Sequence, residues 1–175
     1  MEECKNLGLT KGIGVSNFTC KNLEELLSIA KIPPAVNQVS KMAIAVELNP
    51  LWRQKKLREF CKEKGIHVTA YSPLGAFNTS WGDNRILECD VLEEIAKAKG
   101  KSTAQISLRW LYEQGVSMVA KSFNKERMKQ NLEIFDWSLT QEESNKISQL
   151  PQTKGLNVAS AFGPHDWLLD LDAEN

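Results

Sequence analysis

Apolar residues alternate along this chain between short compact runs and helical spacing, and the alternation recurs four times. "KGIGVSNF" predicts a strand ending near Ser16, and "CKNLEELLSIAKI" then carries Leu23, Leu26, Leu27 and Ala30 at i, i+3, i+4 and i+7. Asn17 or Thr19 could cap that helix. "PAVNQV", after Pro33 and Pro34, predicts a second strand. "NPLWRQKKLREFCKEKG" predicts a helix with Asn49 as cap, Pro50 at its first position and Gly65 at its end. "IHVTAYS" predicts a third strand, followed by the loop "PLGAFNTSWGDNR" and two glycine-ended helices, "VLEEIAKAKG" and "TAQISLRWLYEQG". "VSMVAKS" predicts the fourth strand, with Met118, Val119 and Ala120 buried. A helix beginning at Asn124 follows, its Met128, Leu132 and Phe135 marking an apolar face. "TQEESNKISQL" predicts a last helix with Thr140 in a capping box.

Repeated strand–helix units imply parallel strands joined by helical crossovers. Strands in all-parallel sheets are usually covered on both faces, and these are expected to be apolar throughout. In such folds ligands sit at the carboxyl ends of the strands. Here those ends are Ser16–Asn17, Asn37–Gln38, Tyr71–Ser72 and Lys121–Ser122, all polar or aromatic.

The fourth end is the most suggestive. Lys121, Ser122 and Arg127 surround the start of the next helix, whose free N–H groups and partial positive charge suit an anion. A phosphate monoester would satisfy all of them, the arginine through its two-pronged fork. The alternative is a solvated basic face paired with Glu126, Glu133 and Asp136. At the other ends, Asn17 could serve only as a cap, Gln38 could satisfy buried backbone groups, and Tyr71 could be ordinary packing. Gln130 and Asn131 could be plain helix surface.

Composition narrows the remaining classes. The 175 residues suit one domain, and 22 basic residues balance 22 acidic ones. No global field favours nucleic acid or an anionic membrane, so charge-based recognition must be local. Cys4, Cys20, Cys61 and Cys89 form no CxxC pair and have no histidine at ligand spacing; a metal site is not expected, and the thiols suit the cytoplasm. No run has the length of a membrane span, and "MEECKNLGLT" lacks the apolar core of a secretory signal; it reads as the end of an amphipathic helix. From Pro151 onward the composition turns irregular, which predicts residues 1–150 as the domain and 151–175 as a mobile tail.

"GIGVSNF", "NQV", "AYSPLG" and "KSFNKERMKQNLEIFDWSLT", in that order, resemble the aldo-keto reductase family, above all its plant branch of chalcone, methylecgonone and codeinone reductase-like enzymes. The resemblance covers about residues 1–150. It implies the carboxyl-terminal half of a (β/α)8 TIM barrel, with roughly four β/α units and an unclosed barrel. It also implies NADP(H) as cofactor and, for the full-length enzyme, a small-molecule carbonyl substrate reduced by hydride transfer. Ser16, Asn17 and Gln38 match the positions that hold the nicotinamide carboxamide, and Tyr71 the ring that stacks on it. Ser72 and Leu74 match contacts to the pyrophosphate. Lys121, Ser122 and Arg127 match the clamp on the adenosine 2′-phosphate, and Gln130 and Asn131 match contacts to adenine.

The family's catalytic Asp, Tyr, Lys and His lie in the other half, so no catalytic residue is expected in this chain, which by that resemblance starts in the helix before the fifth strand. His67 and His165 stand outside the catalytic context, and Tyr112 falls in a helix. Residues 40–46 are an addition relative to the family pattern and could displace Gln38; Ala120 is a smaller departure. A half-barrel should leave two sheet edges open to self-association. A non-catalytic NADP-binding protein on the same half-fold, or an unrelated phosphate-binding barrel, are the competing readings.

Overall fold

The computed structural model describes residues 1–38, 48–75 and 84–153. Its elements run α1 (Glu2–Asn6), β1 (Gly14–Ser16), α2 (Cys20–Ile29), β2 (Val36–Gln38), α3 (Lys55–Glu63), β3 (His67–Tyr71), α4 (Asp90–Lys99), α5 (Thr103–Glu113), β4 (Ser117–Val119), α6 (Lys125–Leu132) and α7 (Gln141–Ser148). The four strands form one parallel sheet in the order β1-β2-β3-β4, so each expected strand is present and pairs with its neighbour in sequence. Four parallel strands are what the resemblance implied for half of a (β/α)8 barrel, and among the described residues they do not close into a ring. The addition at residues 40–46 lies outside the described residues, as does the tail beyond Thr153.

Side chains alternate across a strand, and here the two faces differ sharply. Val15, Asn37, Val68, Ala70 and Met118 lie under the helices. There Leu23 of α2, Leu57 and Cys61 of α3, Ile95 of α4, and Ile106 and Leu111 of α5 form the core. The opposite face carries Ser16, Gln38, His67, Thr69, Tyr71, Ser117 and Val119, all exposed or half-buried. The expectation of strands apolar throughout is therefore corrected: only the helix-covered face is apolar. The open face would be the interior of a closed barrel, and polar pairs occupy it. Ser117 Oγ lies 3.0 Å from His67 Nε2 and 2.7 Å from Thr69 Oγ1.

Of the two caps left open for α2, Thr19 takes the role: its Oγ1 accepts the Asn22 N–H at 3.2 Å, while Asn17 has φ +63 and sends its N–H to Gln38. Two further expectations change. α3 begins at Lys55, not Pro50. The Asn49 side chain accepts the Leu51 N–H at 2.9 Å, and Asn49 and Trp52 exchange backbone bonds, which closes a turn where a helix would otherwise begin. The apolar face assigned to the last β/α unit is exposed: α6 buries no residue, Leu132 is its last residue, and Val119, Met128 and Phe135 all face solvent. The described start of the tail is held in place. Gln152 Oε1 accepts the Arg53 N–H at 2.7 Å, and the Thr153 N–H reaches Leu51 O at 2.9 Å.

Gly14 sits beside Val36 in the sheet, and a Cβ there would lie 2.7 Å from the Val36 carbonyl oxygen and closer still to its Cγ1. Gly14→Ala should therefore force β1 from β2 and destabilise by about 1–3 kcal/mol in urea unfolding. A midpoint unchanged from wild type would contradict this register.

Candidate functional site

The strand ends do not finish level. Ser16 pairs with Gln38, Gln38 with Thr69, and Thr69 with Ser117, so β1 and β2 end in the row where β4 begins. Tyr71, paired with Val119, stands one row higher, and Lys121 follows two residues beyond. Each row is about 6.6 Å and each strand spacing about 4.8 Å. The candidate residues thus climb diagonally over roughly 20 Å, from Ser16 on the β1 edge, past Gln38, to Lys121 beyond β4. Such a line suits an elongated ligand.

At the low end, one carbonyl organises two neighbours. The Gln38 C=O accepts Ser16 Oγ–H at 2.9 Å and the Asn17 N–H at 3.1 Å. Asn17 holds left-handed backbone (φ +63), which asparagine tolerates better than most residues. Asn37, fully buried, braces the loop from beneath: its Nδ2 donates to Phe18 O at 2.9 Å and its Oδ1 accepts the Phe18 N–H at 3.4 Å. The Gln38 side chain is left exposed on the open face.

Above them, Tyr71 is half-buried at the tip of β3. The chain turns at once through Ser72 (φ +48) and Gly75 (φ +71), closed by the Gly75 N–H on Ser72 O at 3.0 Å. Ser107, inside α5, donates its buried hydroxyl to Pro73 O at 2.7 Å and so fixes the height of this turn. Leu74 is half-buried within it.

At the high end, Ser122 Oγ accepts the Asn124 N–H at 3.1 Å, and Asn124 Oδ1 caps α6 through the Arg127 N–H at 2.9 Å. The Lys121 Nζ rests 3.8 Å from the centre of the exposed Phe123 ring. The alternative of a basic face neutralised by local acids is only partly met. Lys129 pairs with Glu133 at 3.8 Å, but among the described residues neither Lys121 nor Arg127 makes an ion pair. Gln130 and Asn131 lie half-buried in the last turn of α6.

What positions α6 was not apparent from the residues alone. Buried Gln105 donates to Gln130 O at 3.0 Å and to Glu133 O at 3.3 Å, while completing the Ser102 capping box of α5. Buried Arg109 donates Nη1 to Ile134 O at 2.7 Å and Nε to Glu113 at 2.7 Å, and Glu113 also accepts the Leu139 N–H at 2.9 Å. The Ser-x-x-Gln spacing of Ser102 and Gln105 was a readable signal; an arginine mid-helix gives none. Of the side chains set aside as non-catalytic, His67 lies on the open face bonded to Ser117, and Tyr112 packs edge-on against Phe135 with ring centres 5.2 Å apart. His165 lies outside the described residues. Among the described residues no group of His, Cys, Asp and Glu could hold a metal, and no helix is long and apolar enough to cross a membrane.

A sequence profile of the aldo/keto reductase family matches residues 1–151. The chain belongs to that family. It is 68% identical over 174 residues to the D-galacturonate reductase of Fragaria ananassa, covering 99% of this chain and 52% of that one. It is 55% identical over 168 residues to deoxymugineic acid synthase 1 of Zea mays, covering 94% and 51%. Among solved structures, the aldose reductase of Schistosoma japonicum superposes with a TM-score of 0.81 at 27% identity, over 99% of this chain and 52% of that one. A Bombyx mori aldo-keto reductase in complex with NADP gives 0.77 at 33% identity, over 91% and 51%. The chain thus spans about half the length of the relatives it matches.

Proposed function

We propose that this chain is the NADP(H)-binding half of an aldo-keto reductase that reduces aldehyde or ketone groups in the cytoplasm. The observation that carries the reading is the diagonal of strand ends that finishes at two cations, Lys121 and Arg127, without an ion pair among the described residues. Ser16, Asn17 and Gln38 hold the carboxamide of the nicotinamide, and their shared carbonyl at Gln38 keeps the first two in place. Tyr71 stacks on the ring and so selects the face turned to substrate. Ser72 and Leu74 meet the pyrophosphate at the turn that Ser107 fixes. Lys121, Ser122 and Arg127 take the 2′-phosphate at the start of α6, and Gln130 and Asn131 border the adenine. A bound reduced nicotinamide supplies the hydride; this chain's share is to bind it, orient it and discriminate the phosphate.

Residues 1–150 act as the binding domain, and the tail beyond contributes to substrate choice. Nucleic acid and membrane are not partners in this reading. Proton donation to the carbonyl belongs to groups outside this chain. The purified 175-residue chain should accordingly show no carbonyl-dependent loss of NADPH absorbance, whereas the chain joined to a family amino-terminal half should turn over. Turnover by the chain alone would place the catalytic groups within it and overturn the division of labour. Failure of the joined protein to bind NADPH would remove the cofactor reading itself.

A further inference from the structure

Three buried polar side chains, Gln105, Ser107 and Arg109, lie together on one helix, α5. A polar group enclosed by protein costs free energy unless it is bonded, so each needs a partner. None of the three bonds a carbonyl of α5 itself, where a mid-helix serine commonly turns back. Ser107 donates to Pro73 O at 2.7 Å, in the turn that follows β3. Gln105 donates to Gln130 O and Glu133 O, and Arg109 to Ile134 O, all at the end of α6 or just beyond it. The helical repeat explains the split. Residues two apart on an α-helix stand roughly 200° apart around its axis, while residues four apart share a face. One side of α5 is therefore bonded to the turn and the other to α6.

Those two partners carry separate parts of the proposed cofactor site. The turn holds Ser72, at φ +48, and Leu74. Left-handed backbone at a residue other than glycine persists only where the surroundings hold it, and the buried Ser107 bond falls on the very next residue. α6 carries Arg127 in its first turn and Gln130 and Asn131 in its last. Its eight residues form a rod of roughly 12 Å, so fixing the last turn also sets where Arg127 stands. We propose that α5, which itself gives no side chain to the cofactor, sets the distance between the pyrophosphate turn and the phosphate-binding helix. Ser107 and Gln105 are its positioning residues, acting independently from opposite sides of one helix. The inference rests on the NADP(H) reading and adds a separation of effects. The pyrophosphate is common to NADPH and NADH, whereas the 2′-phosphate belongs to NADPH alone.

Titration of the full chain with each cofactor tests this. Ser107→Ala releases the turn but not α6, so it should weaken NADPH and NADH by one common factor, about threefold to tenfold. Gln105→Glu keeps an acceptor for the Ser102 N–H but turns an oxygen toward the Gln130 and Glu133 carbonyls. It should lower the ratio of NADPH to NADH affinity by about fivefold or more. Gln105→Met, uncharged and of similar length, should shift the ratio the same way and decides the matter if the glutamate variant does not fold. A merely structural role would lower the urea midpoint and leave the affinities of the folded chain untouched. Amide hydrogen exchange without cofactor gives an independent reading. Exchange should quicken at Gly75, whose N–H bonds Ser72 O, in Ser107→Ala alone. It should quicken at Glu133, whose N–H bonds Gln130 O, in the Gln105 variants alone. Unchanged affinities in folded variants, a ratio shifted by Ser107→Ala, or exchange that quickens at both amides together would overturn the inference. A wild-type chain that binds neither cofactor overturns the NADP(H) reading instead, and the exchange pattern then decides whether α5 holds the turn and α6 separately.

Discussion

Replacing Arg127 by alanine is expected to weaken NADPH binding about tenfold while changing NADH binding less than about twofold. A charge-assisted hydrogen bond contributes roughly 1.5–3 kcal/mol, and each 1.4 kcal/mol is a factor of about ten. Arg127 is exposed, so the lower end of that range applies. Only the phosphorylated cofactor carries the group that the guanidinium would meet, hence the asymmetry. Arg127 contributes to α6 through its backbone N–H, which caps on Asn124 and survives the substitution, so helix formation should not confound the result. Arg127→Lys should recover part of the loss, since charge returns without the two-pronged geometry. Equal losses for both cofactors, measured by parallel titrations at one salt concentration, would refute the phosphate assignment.

Arg109→Leu is the second large effect, and it acts on the scaffold. The guanidinium is almost enclosed, joining α5 to the chain leaving α6 through Ile134 O and holding Glu113, which in turn receives the Leu139 N–H. It also lies over Tyr112 and Trp137, at 5.0 Å and 5.8 Å from their ring centres. Leucine fills part of the volume but leaves the buried Ile134 carbonyl without this donor and Glu113 with the Leu139 N–H alone of the two bonds described. The expected loss is about 1–3 kcal/mol, mainly from the buried carbonyl left without its donor, since the ion pair with Glu113 is partly exposed. Urea unfolding with an unchanged slope and a lowered midpoint would show it. A loss under about 1 kcal/mol would mean that Gln105, through Gln130 O and Glu133 O, positions α6 without help.

Much of the architecture was legible because the signals were local. Thr140 with Glu143, Asn124 ahead of α6, and the glycines at 100 and 115 act within a few residues of where they stand. The order of the strands followed from their simple alternation with helices. Features that failed to show in the sequence depend on distant groups. Asn49 looks like a helix cap until its side chain is seen holding Leu51 in a turn. Met128 and Leu132 look like core until, among the described residues, both are seen to be exposed beside β4, the last strand of the sheet. The stagger of the strand ends is a matter of register, and no single strand encodes its register alone. For the same reason the sequence could place Ser16, Gln38, Tyr71 and Lys121 at strand tips yet could not show that they form a rising line.

The most direct test is a fluorescence titration of the 175-residue chain, whose five tryptophans report on both folding and ligand binding. Saturable quenching by NADPH, at least about tenfold tighter than by NADH, is the result expected if tips of neighbouring strands jointly hold one extended dinucleotide. A native emission spectrum that responds to neither cofactor, or to both alike, would contradict it.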